Sequence, residues 1–505
     1  MTAILAGAPS TNAQNWIQVI WKPVKAFVYR MQMRIAKSIR EGRWNKAKAL
    51  QHLLSRSFYG KLWAVKRITA NKGSRTPGID RVTWNSPGKR WKATCNLNRR
   101  GSHAQPLRRI YIPKKNGKKR PLGIPTLHDR AMQELYALGL RPIAETVADK
   151  HSYGFREKRS LHDAIKMTFL SLSTKVAAQW VLEADIKACF DRISHDWLLE
   201  NIPLPKRVLQ QWLKAGYMES STLYPTDQGT PQGGIISPIL CNMTLDGLES
   251  LVIKGRNKKR RKLNIVRYAD DFIITGATPE ILLEEIKPDV ERFLAKRGLT
   301  LSEKKTKLSH ISDGFNFLGF NVRKYDQKLL IKPADGKTNA LLDKVRVFLD
   351  SYRGIPFHVL LLKLNRIIRG WAHAYRRVVA SLHMAYVDYR IYFLIRKWLT
   401  REHRSKTWAW IAKRYRRRVQ GRIEFCDDYV NAKGEMRLAR LFKASDLPIR
   451  YHVKIQGEAT PYDPDYVEYF ADREKKRKLA ALAYRKYLSL TSFQKLITRV
   501  RLCWK

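Results

Sequence analysis

Two adjacent aspartates, Asp270 and Asp271, stand inside an otherwise apolar run, NIVRYADDFIIT (residues 264–275). Because successive side chains of a strand point to opposite faces, an acidic pair within such a run predicts a tight turn between two strands. The turn would present at least one carboxylate to solvent or to a metal ion. Burial of both without compensation would be costly, and Mg²⁺ binds one or two carboxylates together with substrate phosphates. Taken alone, however, an acidic pair is more often a solvated hairpin turn.

A third carboxylate, Asp185, follows the apolar run WVLEADI (residues 180–186), about 85 positions before Asp270. A carboxylate at a strand end together with an acidic turn is the arrangement that two-metal phosphoryl transfer requires. One ion then lowers the pKa of an attacking hydroxyl group, and the other stabilises the leaving group. The alternative, in which Asp185 merely ends a strand, becomes weaker when the remaining motifs are considered.

The charge balance indicates a polyanionic partner. Lys and Arg number 98 against 43 Asp and Glu, which gives a formal net charge of +55. A folded chain with this charge repels itself unless a polyanion neutralises it, and contacts between cations and phosphates release condensed counterions. Binding to an anionic membrane would require a localised basic amphipathic segment or a lipid anchor, whereas the basic residues of this protein are distributed along the whole chain. Nucleic acid is therefore the expected partner.

The five cysteines are scattered without a C-x-x-C pair, which indicates a reducing compartment and no disulfide framework. The N-terminal residues lack the basic region and apolar core of a signal peptide. No apolar run approaches the roughly 18 residues that a membrane-spanning helix needs. We therefore expect a soluble, intracellular protein.

The elements that must position the acidic residues can be outlined from periodicity. Residues 15–72 carry apolar side chains at helical spacing and end in a turn-rich stretch. Short apolar runs alternate with helical stretches from about 76 to 335, as in a mixed α/β domain. After about residue 336 the strand signals fade, and apolar residues at intervals of three and four predict packed helices.

Residues 396–418 are intensely basic and carry Trp398, Trp408, Trp410 and Tyr415 among their cations. Cations contact phosphates and aromatic rings stack on bases, so this segment is the strongest predicted binding feature outside the acidic cluster. Core packing is the safer interpretation for at least half of the rings. The predicted nucleic-acid-binding residues are Arg396, Lys397, Arg401, Arg404, Lys413, Arg414, Arg416, Arg417 and Arg418.

The sequence Tyr-Ala-Asp-Asp (268–271) resembles the catalytic signature of reverse transcriptases, and further motifs follow in that family's order. The segments that carry the resemblance are RIYIPKKNGKKRPLGIPTLHDRAMQ (109–133), VLEADIKACFDRI (181–193), QGTPQGGIISPILCNMTLDGLE (228–249), GLTLSEKKTKL (298–308), FNFLGFNV (315–322) and RGWAHAYR (369–376). Together with the N-terminal extension, they resemble the group II intron-encoded reverse transcriptase/maturase. The resemblance covers nearly the whole chain, and several ordered motifs are far more specific than one, so a generic α/β protein is disfavoured.

This resemblance implies an α+β fold of the right-hand polymerase type. Its expected parts are a helical N-terminal extension (1–75), fingers and palm (76–335), a helical thumb/maturase X domain (336–420) and a basic DNA-binding region (421–505). The resemblance also implies two Mg²⁺ ions held by the catalytic residues Asp185, Asp270 and Asp271, with Ile186 in the metal site. Asp185 and Asp270 are the direct ligands most expected.

The implied nucleotide-binding residues are Lys114, Arg120, Ala188, Cys189, Phe190, Gln232 and Lys304. The Phe190 ring would clash with a 2′-hydroxyl and select deoxynucleotides, with plain core packing as the alternative. Lys114 and Arg120 would bind the triphosphate, Lys114 through the point charge of its ammonium group and Arg120 through the planar, two-pronged hydrogen-bond donor of its guanidinium group. Gln232 and its neighbouring glycines would let the backbone approach the nucleotide.

Two of these assignments stay open at this point. The fingers loop offers five cations for the triphosphate, namely Lys114, Lys115, Lys118, Lys119 and Arg120. Either Lys304 or Lys305 would supply a further cation near the phosphates, although a solvated charge at a helix end is an equal alternative.

The implied reaction is attack of a primer 3′-hydroxyl on a deoxynucleoside triphosphate, copied from RNA with Mg²⁺ as the cofactor. The implied partners are group II intron RNA, whose splicing the protein would promote, an RNA template with a DNA primer, dNTPs, and a DNA target site for retrohoming by target-primed reverse transcription. No membrane partner is expected. The implied location is cytoplasmic, of bacterial type, and nucleoid-associated through the DNA target.

Two other functions are less consistent with the residues. A splicing-only maturase with an inactive polymerase site would be expected to have lost catalytic aspartates, yet all three are present. A reverse transcriptase of a retron-like element is disfavoured by the long maturase-like C-terminal half.

The end of the sequence, RLCWK, carries a cysteine that one further Cys would complete to a C-x-x-C half-site. Continuation into a metal-dependent endonuclease domain is therefore a hypothesis, and an ordinary chain end is the alternative.

Overall fold

The computed structural model describes residues 11–98, 101–113, 117, 119–219, 222–230, 233–419 and 421–489. Within these residues the chain divides into two compact units, both discontinuous in sequence. The first unit comprises the described residues up to Ala164 together with Trp180–Leu308 and Ile455–Tyr469. The second comprises Ile165–Gln179, Ser309–Lys454 and the described residues from Phe470 onward. Helices and sheets occur in both units, so the predicted α+β class is confirmed.

Fourteen of the described α-helices precede residue 296. In chain order they are α1 (Thr11–Ile17), α2 (Trp21–Arg40), α3 (Trp44–Arg56), α4 (Phe58–Thr69), α5 (Pro87–Cys95), α6 (Leu127–Val147), α7 (Leu161–Leu172), α8 (Cys189–Arg192), α9 (His195–Asn201), α10 (Lys206–Leu213), α11 (Ser237–Leu245), α12 (Leu248–Ile253), α13 (Lys258–Arg261) and α14 (Lys287–Ala295). A π-helical turn, Ile281–Ile286, leads directly into α14.

Among the described residues up to His310, two four-stranded sheets accompany these helices. Their strands are β1 (Leu107–Pro113), β2 (Lys119–Ile124), β3 (Trp180–Asp185), β4 (Tyr217–Glu219), β5 (Thr222–Tyr224), β6 (Asn264–Tyr268), β7 (Asp271–Gly276) and β8 (Lys307–His310). The spatial orders are β2-β1-β4-β5 and β6-β7-β3-β8.

The described residues from Phe315 onward add two three-stranded sheets and five further α-helices. The strands are β9 (Phe315–Phe317), β10 (Phe320–Tyr325), β11 (Lys328–Pro333), β12 (Arg416–Val419), β13 (Arg422–Val430) and β14 (Met436–Arg440), in the orders β11-β10-β9 and β12-β13-β14. The helices are α15 (Lys337–Ser351), α16 (Phe357–Tyr375), α17 (Ser381–Glu402), α18 (Trp408–Tyr415) and α19 (Val467–Ser489).

Helix α6 is the centre of the first unit and is buried on almost every side. Leu135, Leu138, Leu140 and Ile143 are fully buried, and the helix packs against α2, α3, α4 and α11. Charged and polar side chains of its first two turns are buried as well, so the helix is enclosed on nearly all faces and is stable only inside a core. Thr126 caps the helix by accepting a backbone hydrogen bond. One hydrophobic core therefore joins the N-terminal helices to the strands that carry the acidic residues.

The prediction that strand structure fades after residue 336 is wrong for residues 416–440, which form β12, β13 and β14. The alternation that identifies a strand is broken in β13, where four consecutive residues are buried and two of them are acidic. Glu424 is paired there with Arg440, and Asp427 accepts a hydrogen bond from the backbone of His358. Buried but satisfied carboxylates thus conceal the strand from a pattern based on hydrophobicity.

The segment Ile455–Tyr469 belongs to the first unit, although nearly 150 preceding residues, Ser309–Lys454, belong to the second. Its side chains and backbone contact the N-terminal helices and the region before β3. Asp463 forms an ion pair with Arg40, the Tyr462 hydroxyl donates to Glu157, and Ile455 N–H donates to Asp163. The first unit is therefore completed by residues from late in the chain.

Membrane-spanning helices are not found in the described ranges. No helix there is both long and apolar enough to cross a bilayer.

Candidate active site

The three aspartates predicted to be catalytic meet at one end of the β6-β7-β3-β8 sheet. Strands β3 and β7 are antiparallel with Asp185 opposite Asp271, and β6 pairs with β7 so that Tyr268 faces Asp271. Between β6 and β7 the chain turns through Ala269 and Asp270 alone. The predicted tight turn between two strands is confirmed. Ala269 has a φ of +58°, in the left-handed region that such two-residue hairpin turns demand.

Burial and, after it, the charges of the neighbouring carboxylates raise the pKa of two of these aspartates. Burial is the largest cause for Asp270, whose pKa is raised further by the charge of Asp185. Withdrawal from water and the charges of Asp270 and Asp185 raise the pKa of Asp271 to about 6. The positive charges of Lys305 and Arg120 oppose the shift at Asp270. The site therefore concentrates negative charge that its own cations compensate only in part.

Lys305 supplies the direct compensation, through an ion pair between its Nζ atom and the Oδ2 atom of Asp185. Its position follows from the backbone, because residues 300–302 run along the end of β3. Ser302 N–H donates to the Asp185 carbonyl at 2.8 Å, and Lys187 N–H donates to the Thr300 carbonyl at 2.9 Å. The hydrogen bond to Asp185 raises the pKa of Lys305, so the ammonium group stays charged.

The donor set is compatible with divalent cations but is not pre-assembled for them. In the part of the chain that the structure describes, no three His, Cys, Asp or Glu side chains converge closely enough to hold an ion by themselves. Mg²⁺ needs only one or two carboxylates, because waters and phosphates complete its octahedron. Three carboxylates against one directly paired ammonium leave an excess of negative charge, which fits such an ion. Lys305 must leave Asp185 Oδ2 before that oxygen can coordinate.

Ile186, also predicted in the metal site, forms a β-bridge with Leu301. Both hydrogen bonds of this bridge use atoms of flanking residues, so the Ile186 carbonyl is not engaged by either of them.

Three of the predicted nucleotide-binding residues follow β3 closely in the chain, and one of them, Cys189, lies within electrostatic range of Asp270. Ala188, with a φ of +48°, is the N-cap of the short helix α8. Cys189 is buried with its Sγ atom 3.6 Å from that of Cys241. Phe190 is half-buried, and its carbonyl accepts a 2.6 Å hydrogen bond from Thr230 N–H. These contacts fix the backbone from which the Phe190 ring projects.

The remaining predicted residues divide into three groups. Arg120 is exposed on β2, close enough to influence the pKa of Asp270. Lys304 is exposed, and the structure brings its neighbour Lys305 to Asp185 instead. Lys114 and Gln232 lie outside the described residues. Beside Gln232, Gly233 has a φ of +123°, and a Cβ atom there would lie 2.3 Å from the Gly123 carbonyl oxygen. The close approach visible at this glycine is thus to strand β2.

The basic segment is more strongly ion-paired than its sequence suggested. Trp398 is buried and its indole N–H donates to the Tyr352 carbonyl, whereas Trp410 is exposed. Arg396, Lys397, Arg404, Lys413, Arg414, Arg417 and Arg418 are exposed, while Arg401 and Arg416 are half-buried. Three of these cations form ion pairs, namely Arg401 with Asp350, Arg414 with Asp427 and Arg417 with Asp428. The predicted cations therefore differ in how much charge they leave for a ligand.

Sequence reasoning missed a segment that supports the acidic turn, residues 151–155 (HSYGF), here called the strap. Ser152 forms a parallel β-bridge with Arg267 of β6, and Tyr153 N–H donates to the Arg267 carbonyl at 2.9 Å. A Cβ atom on Gly154 would lie 2.3 Å from the backbone nitrogen of Ala269. The only sequence signal was a glycine between two aromatic residues, which by itself does not indicate a partner 115 positions away.

Arg267 ties the other side of β6 to the core. This residue is only 1% exposed, and its guanidinium is paired with Asp246, with Asp149 at 3.8 Å and with the Asn242 side chain at 3.3 Å. Burial raises the pKa of Asp246 to about 6, even though Arg267 opposes the shift. The strand leading into the acidic turn is thus held by its backbone and by its one buried cation.

Comparisons with known proteins show which families the sequence matches. Residues 112–322 match the family described as reverse transcriptase (RNA-dependent DNA polymerase), residues 16–97 match the N-terminal domain of reverse transcriptase, and residues 338–416 match the group II intron, maturase-specific domain. The sequence is 34% identical to protein YkfC of Escherichia coli (strain K12) over 303 residues, which cover 51% of this chain and 78% of that protein.

A second relative is the group II intron-encoded protein LtrA of Lactococcus lactis subsp. cremoris, 32% identical over 363 residues. That match covers 57% of this chain and 60% of LtrA, so the chain spans less than two thirds of that protein's length. Among solved structures, a telomerase from Candida albicans matches 62% of this chain and 61% of its own at 14% identity and a TM-score of 0.35, which is too low to support a conclusion.

Burial of Asp271 and the like charges beside it predict that Asp271→Asn stabilises the metal-free protein. Because the folded-state pKa of Asp271 is about 6, above its ordinary 3.8, ionisation costs folding free energy that is absent near pH 4 and complete above about pH 6. In EDTA at pH 7.5 we expect the thermal midpoint to rise by about 2–4 °C, and the gain to shrink as the pH falls to 4. Asp343→Asn, at an exposed ion pair with Arg346, serves as the control. A gain independent of pH would contradict the argument.

Tight packing of the strap predicts that Gly154→Ala destabilises the protein. The added methyl group would overlap the backbone of the acidic turn, a cost of about 1–3 kcal/mol when backbone must shift. Gly370→Ala in α16 is the matched control, since nothing lies within 4 Å of its added methyl and alanine favours helix. We expect the thermal midpoint to fall for Gly154→Ala and not for Gly370→Ala. Equal midpoints for Gly154→Ala and wild type would show that the strap does not press on the turn.

Proposed function

The chain belongs to the group II intron-encoded reverse transcriptase/maturase family, and from that premise we propose that it is an RNA-directed DNA polymerase. The observation that carries the proposal is the cluster at one sheet end, where Asp185 pairs in register with Asp271 and Asp270 occupies the turn. The reaction would join a primer 3′-hydroxyl to a deoxynucleoside triphosphate with loss of pyrophosphate, in the order dictated by an RNA template.

Two Mg²⁺ ions are the proposed cofactors, held by Asp185, Asp270 and Asp271 with the Ile186 carbonyl available as a further oxygen ligand. When bound, such ions lower the pKa of the attacking hydroxyl and stabilise the developing charge on the leaving pyrophosphate. The chain itself contributes a rigid framework for the carboxylates, because backbone pairing fixes Asp185 in β3 and Asp271 in β7, and the two-residue turn between β6 and β7 holds Asp270. The excess negative charge of the site is what a dication would neutralise.

Cations of this chain are proposed to receive the triphosphate. Arg120 is within electrostatic range of Asp270, and Lys305 is already charged and adjacent to Asp185. On loading, Lys305 would exchange its carboxylate partner for phosphate oxygens, a move between two anionic acceptors that keeps its ammonium paired. Lys114, Gln232 and Lys304 stay predicted nucleotide contacts.

Phe190 is proposed to exclude ribonucleotides. Its backbone, five residues after Asp185, is held by the hydrogen bond from Thr230 and follows the left-handed Ala188, and its ring is half-buried. Ala188 and Cys189 are proposed to line the same nucleotide site. An apolar ring in this position rejects an added 2′-hydroxyl by steric contact and by leaving that hydroxyl unpaired.

The proposed macromolecular partners are RNA and DNA. The net charge of +55 and the match of residues 338–416 to a maturase-specific domain support binding of group II intron RNA and promotion of its splicing. The same polymerase is proposed to copy the intron RNA at a DNA target site, so that the intron retrohomes by target-primed reverse transcription. Thumb/maturase residues 336–420 and residues 421–505 are the proposed RNA- and DNA-binding regions, and a cytoplasmic, nucleoid-associated location is part of the same proposal.

Primer extension on an RNA template with Mg²⁺ is the decisive assay for polymerase activity. We expect wild type to make long DNA products and Asp270→Asn, which keeps the shape of the side chain, to lose at least about a hundredfold in rate. Asp343→Asn removes an exposed carboxylate in α15, more than 70 positions after Asp270, and this variant should extend primers like wild type. If wild type binds structured RNA but makes no DNA, the splicing-only alternative replaces the polymerase.

Salt dependence separates the basic residues that bind phosphate from those that serve structure. Each phosphate of a DNA duplex that a protein cation neutralises adds about 0.9 to the steepness of log K against log salt. We therefore expect Arg404→Gln with Lys413→Gln to flatten the slope for a 30-base-pair DNA duplex by about 1.8. Arg401→Gln, whose guanidinium is committed to Asp350 at 2.8 Å, should leave it unchanged. A slope unchanged by the double substitution would remove both exposed residues from the interface.

A further inference from the structure

Phe155, in the strap, is an exposed aromatic residue in contact with the proposed ribonucleotide-excluding ring. Its side chain meets Phe190 edge to face, with ring centroids 6.1 Å apart and planes at 80°. Yet Phe155 is 56% exposed, which is unusual for a phenylalanine that serves only as core packing. The contact therefore calls for a reason other than burial.

The backbone of Phe155 is held in a conformation that phenylalanine ordinarily avoids. Its φ is +57°, in the left-handed region where a Cβ atom is crowded. Such a residue persists only where the surrounding structure determines its conformation, and such residues cluster at functional sites. An aromatic ring retained there, where glycine would be free of strain, indicates that the ring itself has a use.

Contacts on both sides of Phe155 enforce this conformation. Before it, the Asn242 side-chain amide donates to the Gly154 carbonyl at 2.8 Å, and Gly154 lies against the acidic turn at Ala269. After it, Arg156 is buried and donates to the Glu145 carboxylate and to the Asp149 carbonyl at 2.7 Å. The strap thus transmits the position of the acidic turn to the Phe155 ring.

We propose that Phe155 is a positioning residue that holds the Phe190 ring in place and thereby sets the discrimination between deoxyribonucleotides and ribonucleotides. This inference rests on the proposed polymerase function and deepens it. A half-buried ring excludes a 2′-hydroxyl only if it cannot rotate to another rotamer when that hydroxyl arrives. The edge-to-face contact with Phe155 restrains that rotation. The strap also packs against Ala269 in the acidic turn. The position of the Phe190 ring is therefore fixed relative to the catalytic carboxylates.

The test compares single-nucleotide insertion of dATP and ATP opposite a template uridine. Phe155→Gly removes the ring and relieves the left-handed backbone, so folding is not compromised by the change itself. We expect its selectivity, the ratio of kcat/KM for dATP to that for ATP, to fall about tenfold through faster ATP insertion, the size expected when one aromatic pair is removed. Phe155→Tyr keeps the ring and should restore wild-type selectivity.

Two further variants distinguish positioning from a general structural role. Tyr59→Ala removes another edge-to-face pair, with Phe27 at 5.5 Å in the N-terminal helices, and should leave selectivity unchanged. In a Phe190→Ala background, Phe155→Gly should have no additional effect on selectivity, because it acts through the missing ring.

The outcomes separate this inference from the function it rests on. Unchanged selectivity in Phe155→Gly, or an equal loss of dATP and ATP insertion, overturns the positioning role while polymerase activity stands. A full additional effect in the Phe190→Ala background also overturns it. Failure of wild type to insert dATP overturns the proposed polymerase function, and this inference falls with it.

Discussion

The pairing register between β3 and β7 is the constraint on which the acidic cluster depends. Asp185 lies opposite Asp271, so a slip of one residue would turn one of these carboxylates to the other face of the sheet. The slip is opposed by the apolar pairs further along the same strands, such as Leu182 with Ile274, both fully buried. Chemistry at the sheet end is therefore secured by hydrophobic burial in its middle.

Cations near the acidic turn serve two different purposes in this strongly basic chain. Arg267 is buried, paired with Asp246 and hydrogen-bonded to Asn242, and stabilises the strand that enters the turn. Lys305 is exposed and paired with Asp185, where a change of partner costs little desolvation. Removal of one partner from a buried pair is costly, whereas an exposed pair exchanges readily. The difference in burial thus distinguishes Arg267, which stabilises the fold, from Lys305, whose ion pair can be exchanged for one with a bound anion.

Much of the site could be predicted from sequence because its signals are local. The acidic turn interrupts an apolar run, and the strand ending at Asp185 is short and apolar, so periodicity alone locates both. Which of Lys304 and Lys305 pairs with Asp185 could not be predicted from local signals, since it depends on the hydrogen bond from Ser302 N–H to the Asp185 carbonyl at the end of the sheet. The strap could not be predicted from the sequence for the same reason, because its partner strand β6 lies more than 100 positions away in the chain. The sheet at residues 416–440 escaped because paired acids, Glu424 and Asp427, occupy buried positions where a pattern expects apolar side chains.

The late segment Ile455–Tyr469 has a consequence for how the protein is made. Its partners, among them Arg40, Glu157 and Asp163, leave the ribosome long before it does. At 5–20 residues per second, the roughly 300 residues between Asp163 and the segment take about 15–60 seconds to translate. During that interval the Asp163 carboxylate, fully buried in the finished fold, keeps its local hydrogen bonds from Ser160 but lacks the one from Ile455 N–H. Co-translational folding therefore cannot finish domain by domain, and the unit that carries the acidic cluster closes only near the end of synthesis.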